Sequence, residues 1–140
     1  MGLGNLNYVA VLVAAIASFV FGGAWYSALS TRWLEAVGRT PESMKDKASI
    51  GLYLLAFGAQ LIMAWLLAGV LLHLAMGGMI ISLRNGIIAG VFLWFGFVMT
   101  TMVVNYAFHG ARQILTLIDG GHWLGVLLIQ GGILGWWGVK

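Results

Sequence analysis

The chain has 140 residues, of which 61% are hydrophobic and only 8% charged, with a formal net charge of +3. Soluble domains carry roughly 25% charged residues, so a water-soluble fold is excluded and the bilayer must solvate much of the surface. No cysteine is present, which removes disulfides, thiolate ligands and cysteine nucleophiles from consideration.

The length allows one domain. The first predicted span runs over residues 7–29, long enough to cross a bilayer, which needs roughly 20 apolar residues. Met1 to Leu6 carries no Lys or Arg, so this span reads as a retained helix and not as a signal peptide. Trp25 and Tyr26 near its end suit a membrane interface. The segment from Thr31 to Ser49 then gathers Arg32, Glu35, Arg39, Glu42, Lys45, Asp46 and Lys47. Thr40-Pro41-Glu42-Ser43 is a helix start, with Thr40 as the cap and Pro41 in the first turn. A short amphipathic helix on the membrane surface is expected there, with a solvated linker as the equal alternative.

Further spans are predicted over 50–74, 85–109 and 121–139, each of single-helix length. Strands fail, because the apolar runs do not alternate and an open sheet cannot satisfy its edges in lipid. The expected fold is therefore all-α: a polytopic four-transmembrane-helix bundle with a charged first loop. Glycine is abundant, with 21 residues, and close helix contact in lipid needs small residues. Gly86 and Gly90, Gly121 and Gly125, and Gly131 and Gly135 each fall four apart on a helix. So many close-packing faces suggest a homo-oligomer. The basic residues sit between spans and read as topology signals, with nucleic acid excluded as a partner. Arg32, Arg39, Lys45, Lys47 and Arg112 fall on one side, against Arg84 and Lys140 on the other. The positive-inside rule places the first side in the cytoplasm and both termini outside a cell (inner) membrane.

Polar groups are costly inside a membrane and mark candidate sites. At about 100° per residue, Trp94, Thr101, Asn105 and Arg112 share one face of the third helix. Trp25 and Tyr26 are expected at the same depth, with Asp119, His122 and Trp123 opening the fourth helix. Gln60 lies near the middle of the second span. Trp25, Tyr26, Gln60, Trp94, Thr101, Asn105 and Arg112 are thus candidates for ligand binding or pore lining. His109, Asp119 and His122 form a candidate mixed nitrogen and oxygen metal set, and Asp119 with His122 a candidate acid–base pair. Structural roles compete with each of these. Arg112 and Asp119 would then be an interfacial ion pair, and Asp119 the cap of the fourth helix. Asn105 and Gln60 would be interhelical hydrogen-bond partners.

Two stretches carry a resemblance to a known family. Asn5-Leu6-Asn7-Tyr8-Val9-Ala10-Val11, leading to Gly22-Gly23-Ala24-Trp25-Tyr26-Ser27, resembles the opening of the DUF1761 membrane proteins. Asn105 to Arg112, Leu117-Ile118-Asp119-Gly120-Gly121 and Gly132-Ile133-Leu134-Gly135-Trp136 resemble that family's second half. The resemblance implies a small four-helix membrane protein of bacteria or archaea and supplies no activity and no cofactor. The leading expectation is an oligomeric transporter- or channel-like protein for a small solute or ion. A lipid- or small-molecule-binding enzyme built on Asp119 and His122, and an accessory subunit without chemistry, are the alternatives. No motif of high specificity for a reaction is present.

Overall fold

The computed structural model describes residues 6–45 and 49–140. Asp46 and Lys47 of the charged loop, and Asn5 of the family resemblance, lie outside the described residues. Among the described residues, four helices are long and apolar enough to span a membrane: Tyr8–Ala28, Ile50–Met76, Leu83–Phe108 and Gln113–Trp137.

Helix α1 spans Tyr8–Ala28 and starts where the Asn7 side chain accepts the Ala10 amide at 3.0 Å. Helix α2, Ser30–Val37, ends at Gly38, whose left-handed φ of 67° reverses the chain without a Cβ penalty. Thr40 caps the short α3, Pro41–Lys45, by accepting the Ser43 amide at 3.3 Å. The expected short helix is thus present, and α2 precedes it. Helix α4, Ile50–Met76, is capped by Ser49.

The third span starts behind a Ser82 cap as α5, Leu83–Leu93. It passes through a π-helical segment of six residues, Trp94–Met99, and finishes as α6, Thr100–Phe108. The fourth span, α7, runs over Gln113–Trp137 and so begins well before the predicted residue 121. The sequence reading treats Asp119 as a boundary because a carboxylate is expensive in lipid. Three hydrogen-bond donors shelter that carboxylate, and the helix continues through it.

Helix α7 is the hub. It packs on α1, on α4 and most extensively on α5, while α4 and α5 scarcely meet. The burial follows this order: 56% of the most apolar stretch of α7 is buried, against 11% in the third span. Ala10, Ala14, Ala15, Ala64, Leu67, Ala68, Leu71, Leu127 and Leu134 form the apolar core between α1, α4 and α7.

Glycines set the contact between α5 and α7. A Cβ on Gly86 would collide with the backbone oxygen of Gly131, and one on Gly131 with that of Gly86. Gly135 meets the Ser82 backbone in the same way, and Gly90 that of Leu127. The predicted pairs Gly86/Gly90 and Gly131/Gly135 therefore face each other across one seam, which lets two backbones touch. Gly121 and Gly125 face α1, against the Trp25 and Phe21 rings. At the far end, the Asn7 amide donates to the Val139 carbonyl at 2.9 Å, joining the start of α1 to the end of α7.

Candidate functional site

Asp119 lies on α7 and is 8% exposed. Its carboxylate collects donors from three elements. Oδ1 accepts from the Tyr26 hydroxyl at 2.8 Å and from the Trp33 indole Nε1 at 3.2 Å. Oδ2 accepts from the Tyr106 hydroxyl at 2.8 Å. All three donors are neutral. An ionised carboxylate can accept several hydrogen bonds, and donors of this kind replace the water it gives up on burial.

The backbone beside Asp119 is held as well. The Trp25 indole donates to the Ile118 carbonyl at 3.0 Å, and the Trp94 indole to the Gly120 carbonyl at 2.8 Å. Glycines admit these groups. A Cβ on Gly120 would meet the Met99 sulfur, and one on Gly121 the Trp25 ring, each at 2.8 Å. Asp-Gly-Gly is thus an acid that gathers donors from α1, α2 and α6, followed by two positions without side chains against which aromatic and sulfur groups pack.

One turn along α7, His122 is 5% exposed. Its ring lies 4.8 Å from the Tyr26 ring and 4.7 Å from that of Trp123, centroid to centroid. Gly22 leaves room for it, since a Cβ there would stand 2.8 Å from Nε2 of His122 and 3.7 Å from Nε2 of Gln60. Beyond lies Gln130, fully buried, whose Nε2 donates to Ser18 Oγ and to the Gln60 backbone carbonyl, both at 3.0 Å. Ser18 in turn donates to the Ala15 carbonyl at 3.1 Å. Asp119, His122 and Gln130 share a face of α7, while Tyr26, Gly22 and Ser18 are spaced by four along α1. The result is a polar stripe between two helices, with Gln60 of α4 closing it. It ends in the alanine and leucine core.

The sequence-predicted residues divide. Trp25, Tyr26, Trp94, Asp119 and His122 come together, and Gln60 joins them deeper in the stripe. Thr101, Asn105 and Arg112 do not: all three are exposed. Thr101 donates its hydroxyl to the Phe97 carbonyl, and Arg112 reaches the Glu35 carbonyl at 3.0 Å. Arg112 therefore serves the first connection and is not the partner of Asp119. The π segment at Trp94–Met99 is what sets Thr101 and Asn105 off the inward line. An α-helical count from Trp94 puts Asn105 in line. A π turn holds about one residue more than an α turn, so the line passes to Met102 and Tyr106, which are half-buried. His109 is exposed beyond the end of α6. Among the described residues no three His, Asp or Glu side chains stand together as a metal set, so His109, Asp119 and His122 do not assemble one. Asp119 also lies inside α7, so it does not cap it.

Trp33, Tyr106 and Gln130 escaped the sequence reading of the site. Gln130 had a signal, since eleven residues after Asp119 is three helical turns and returns to the same face.

A family model described as a protein of unknown function, DUF1761, matches residues 9–135. The chain belongs to the DUF1761 family. The match takes in the whole polar stripe, from Ser18 to Gln130, and both ends of the glycine seam. No curated protein and no solved structure matches the chain. In this DUF1761 chain the Trp-Tyr-Ser and Asp-Gly-Gly elements are therefore two halves of one hydrogen-bonded cluster, joined through Tyr26 and Asp119 and through Trp25 and Ile118.

Proposed function

We propose that this protein moves a small ion or solute across the membrane as a homo-oligomer. The observation that supports this reading is the buried polar stripe. It starts at Asp119, near one end of the bundle, and runs through His122 and Gln60 to Gln130. Buried polar groups in a membrane are costly and commonly line ion or substrate routes. The stripe stops at the apolar core of the single chain, so passage needs either a rearrangement of α1, α4 and α7 or a second copy. The third span offers the surface for a second copy, with Phe92, Phe95, Phe97 and Phe108 all exposed. Purified protein in proteoliposomes is expected to pass a small ion or solute, and Asp119→Asn and Gln60→Leu to reduce that flux at least several-fold. Flux that neither substitution changes would sink the reading.

The proposal includes an orientation. Arg32, Arg39, Lys45 and Arg112 flank the spans on the Asp119 side, so this side faces the cytoplasm under the positive-inside rule. The chain has no cysteine, which makes labelling clean. A single cysteine at Lys140 is expected to react with an impermeant maleimide in intact cells, and one at Lys45 only after lysis. The reverse pattern refutes the assignment.

A further inference from the structure

Among the described residues, three buried side-chain atoms have no hydrogen-bond partner: Gln60 Oε1, His122 Nδ1 and Gln130 Oε1. All three belong to the polar stripe. Their residues are 2%, 5% and 0% exposed respectively. A buried polar atom left unpaired costs about 1–3 kcal/mol, so three in one stripe call for a partner.

The chemistry of the atoms says which partner. The Gln130 amide is fixed by its neighbours. Its nitrogen meets the Gln60 backbone carbonyl, which can only accept, so Gln130 Oε1 must be an acceptor. Gln60 Oε1 is also an acceptor. With its hydrogen on Nε2, the His122 ring presents Nδ1 as a third. A partner for these atoms must donate or carry positive charge. The surrounding charge has the same preference. Asp119 is the only acidic residue within the four spans, and it stands one turn of α7 from His122. The only Lys or Arg within the spans is Arg84, in the first turn of α5 at the opposite end. Amide carbonyl oxygens are suitable replacements for the hydration shell of a small cation. The missing Cβ of Gly22 leaves space beside Nε2 of His122 and Nε2 of Gln60, on the nitrogen side of both groups.

We infer that Gln60, His122 and Gln130 bind a small monovalent cation inside the bilayer, with Asp119 supplying the balancing charge. This inference takes its purpose from the transport reading, but binding can be measured separately. The test uses purified full-length protein in detergent, exchanged into N-methyl-D-glucamine chloride. Sodium, potassium or ammonium chloride is then added at constant ionic strength and thermal stability is followed. At least one small cation is expected to raise the midpoint saturably, as a ligand that binds only the folded state must. Gln60→Leu is expected to abolish that rise while folding as well as the parent, because it removes an unpartnered carbonyl oxygen and keeps the shape. Gly22→Ala, which presses on His122, is expected to weaken it. An equal response to all salts, or a saturable response that survives in Gln60→Leu, overturns the site. Flux without saturable stabilisation removes the site and leaves transport standing. Saturable stabilisation without flux does the reverse.

Discussion

Gly86→Ala is expected to cost at least about 3 kcal/mol of stability, the upper range for overpacking a closed contact, although it adds a single methyl group. The new Cβ would occupy the space of the Gly131 backbone oxygen. Backbone cannot change rotamer, so the two helices must move apart. Because the third span has its main contact with α7 through this seam, separation would loosen the whole span. The control is Gly23→Ala. That glycine lies in α1 with open space around its missing Cβ. Alanine there should be neutral or stabilising by up to about 1 kcal/mol, from helix propensity alone. Thermal unfolding in detergent measures both, and the expected separation between the two variants is roughly 10 °C for a chain of this size. Equal midpoints would show that the seam does not hold the third span.

Asp119→Leu is the second large effect. The substitution strands the Tyr26 and Tyr106 hydroxyls and the Trp33 indole, all in half-buried positions. With about 1–3 kcal/mol at stake for each buried donor left unpaired, a total loss of about 3 kcal/mol is expected after water reaches part of the cluster. Tyr106→Phe removes one donor and leaves the other two in place, so it should cost about 1 kcal/mol. A double-mutant cycle separates these contributions. In the Asp119→Leu background, Tyr106→Phe should be neutral or favourable, since the hydroxyl has lost its acceptor. If Tyr106→Phe costs the same in both backgrounds, the two side chains are not coupled and the cluster is not a unit.

Much of the fold was legible because lipid imposes strict rules. Spans must be helical and roughly 20 residues long, and the predicted ranges 7–29, 50–74 and 85–109 lie within two residues of α1, α4 and the third span at each end. The glycine seam was legible as spacing, although spacing alone could not show that Gly86 opposes Gly131. The fourth span was misjudged at its start, because hydropathy charges Asp119 its full cost and cannot see the donors that offset it. The site was legible where a residue is expensive by itself, as with Asp119, His122 and Gln60. It was illegible where register decides. Asn105 is the more polar residue and lies on the α-helical line from Trp94, yet the π segment gives the inward position to Tyr106. Nothing in Trp94 to Met99 announces that wider turn. Trp33 lies in the charged connection after the first span, and only the fold of α2 shows that its indole reaches Asp119.

The hydrogen bond between Asn7 and Val139 has a consequence for engineering. Entry to the first span and exit from the last are stitched at one point, at the same end of the bundle. A tandem fusion of two copies would therefore need only a short polar linker and no added span, and both copies would insert in the same direction. The same proximity makes the chain a candidate for circular permutation, with a few residues bridging Val139 to Asn7 and new ends opened in the connection that holds Gly77 and Gly78. Such a permutant would keep the polar stripe intact, since neither cut nor bridge touches it.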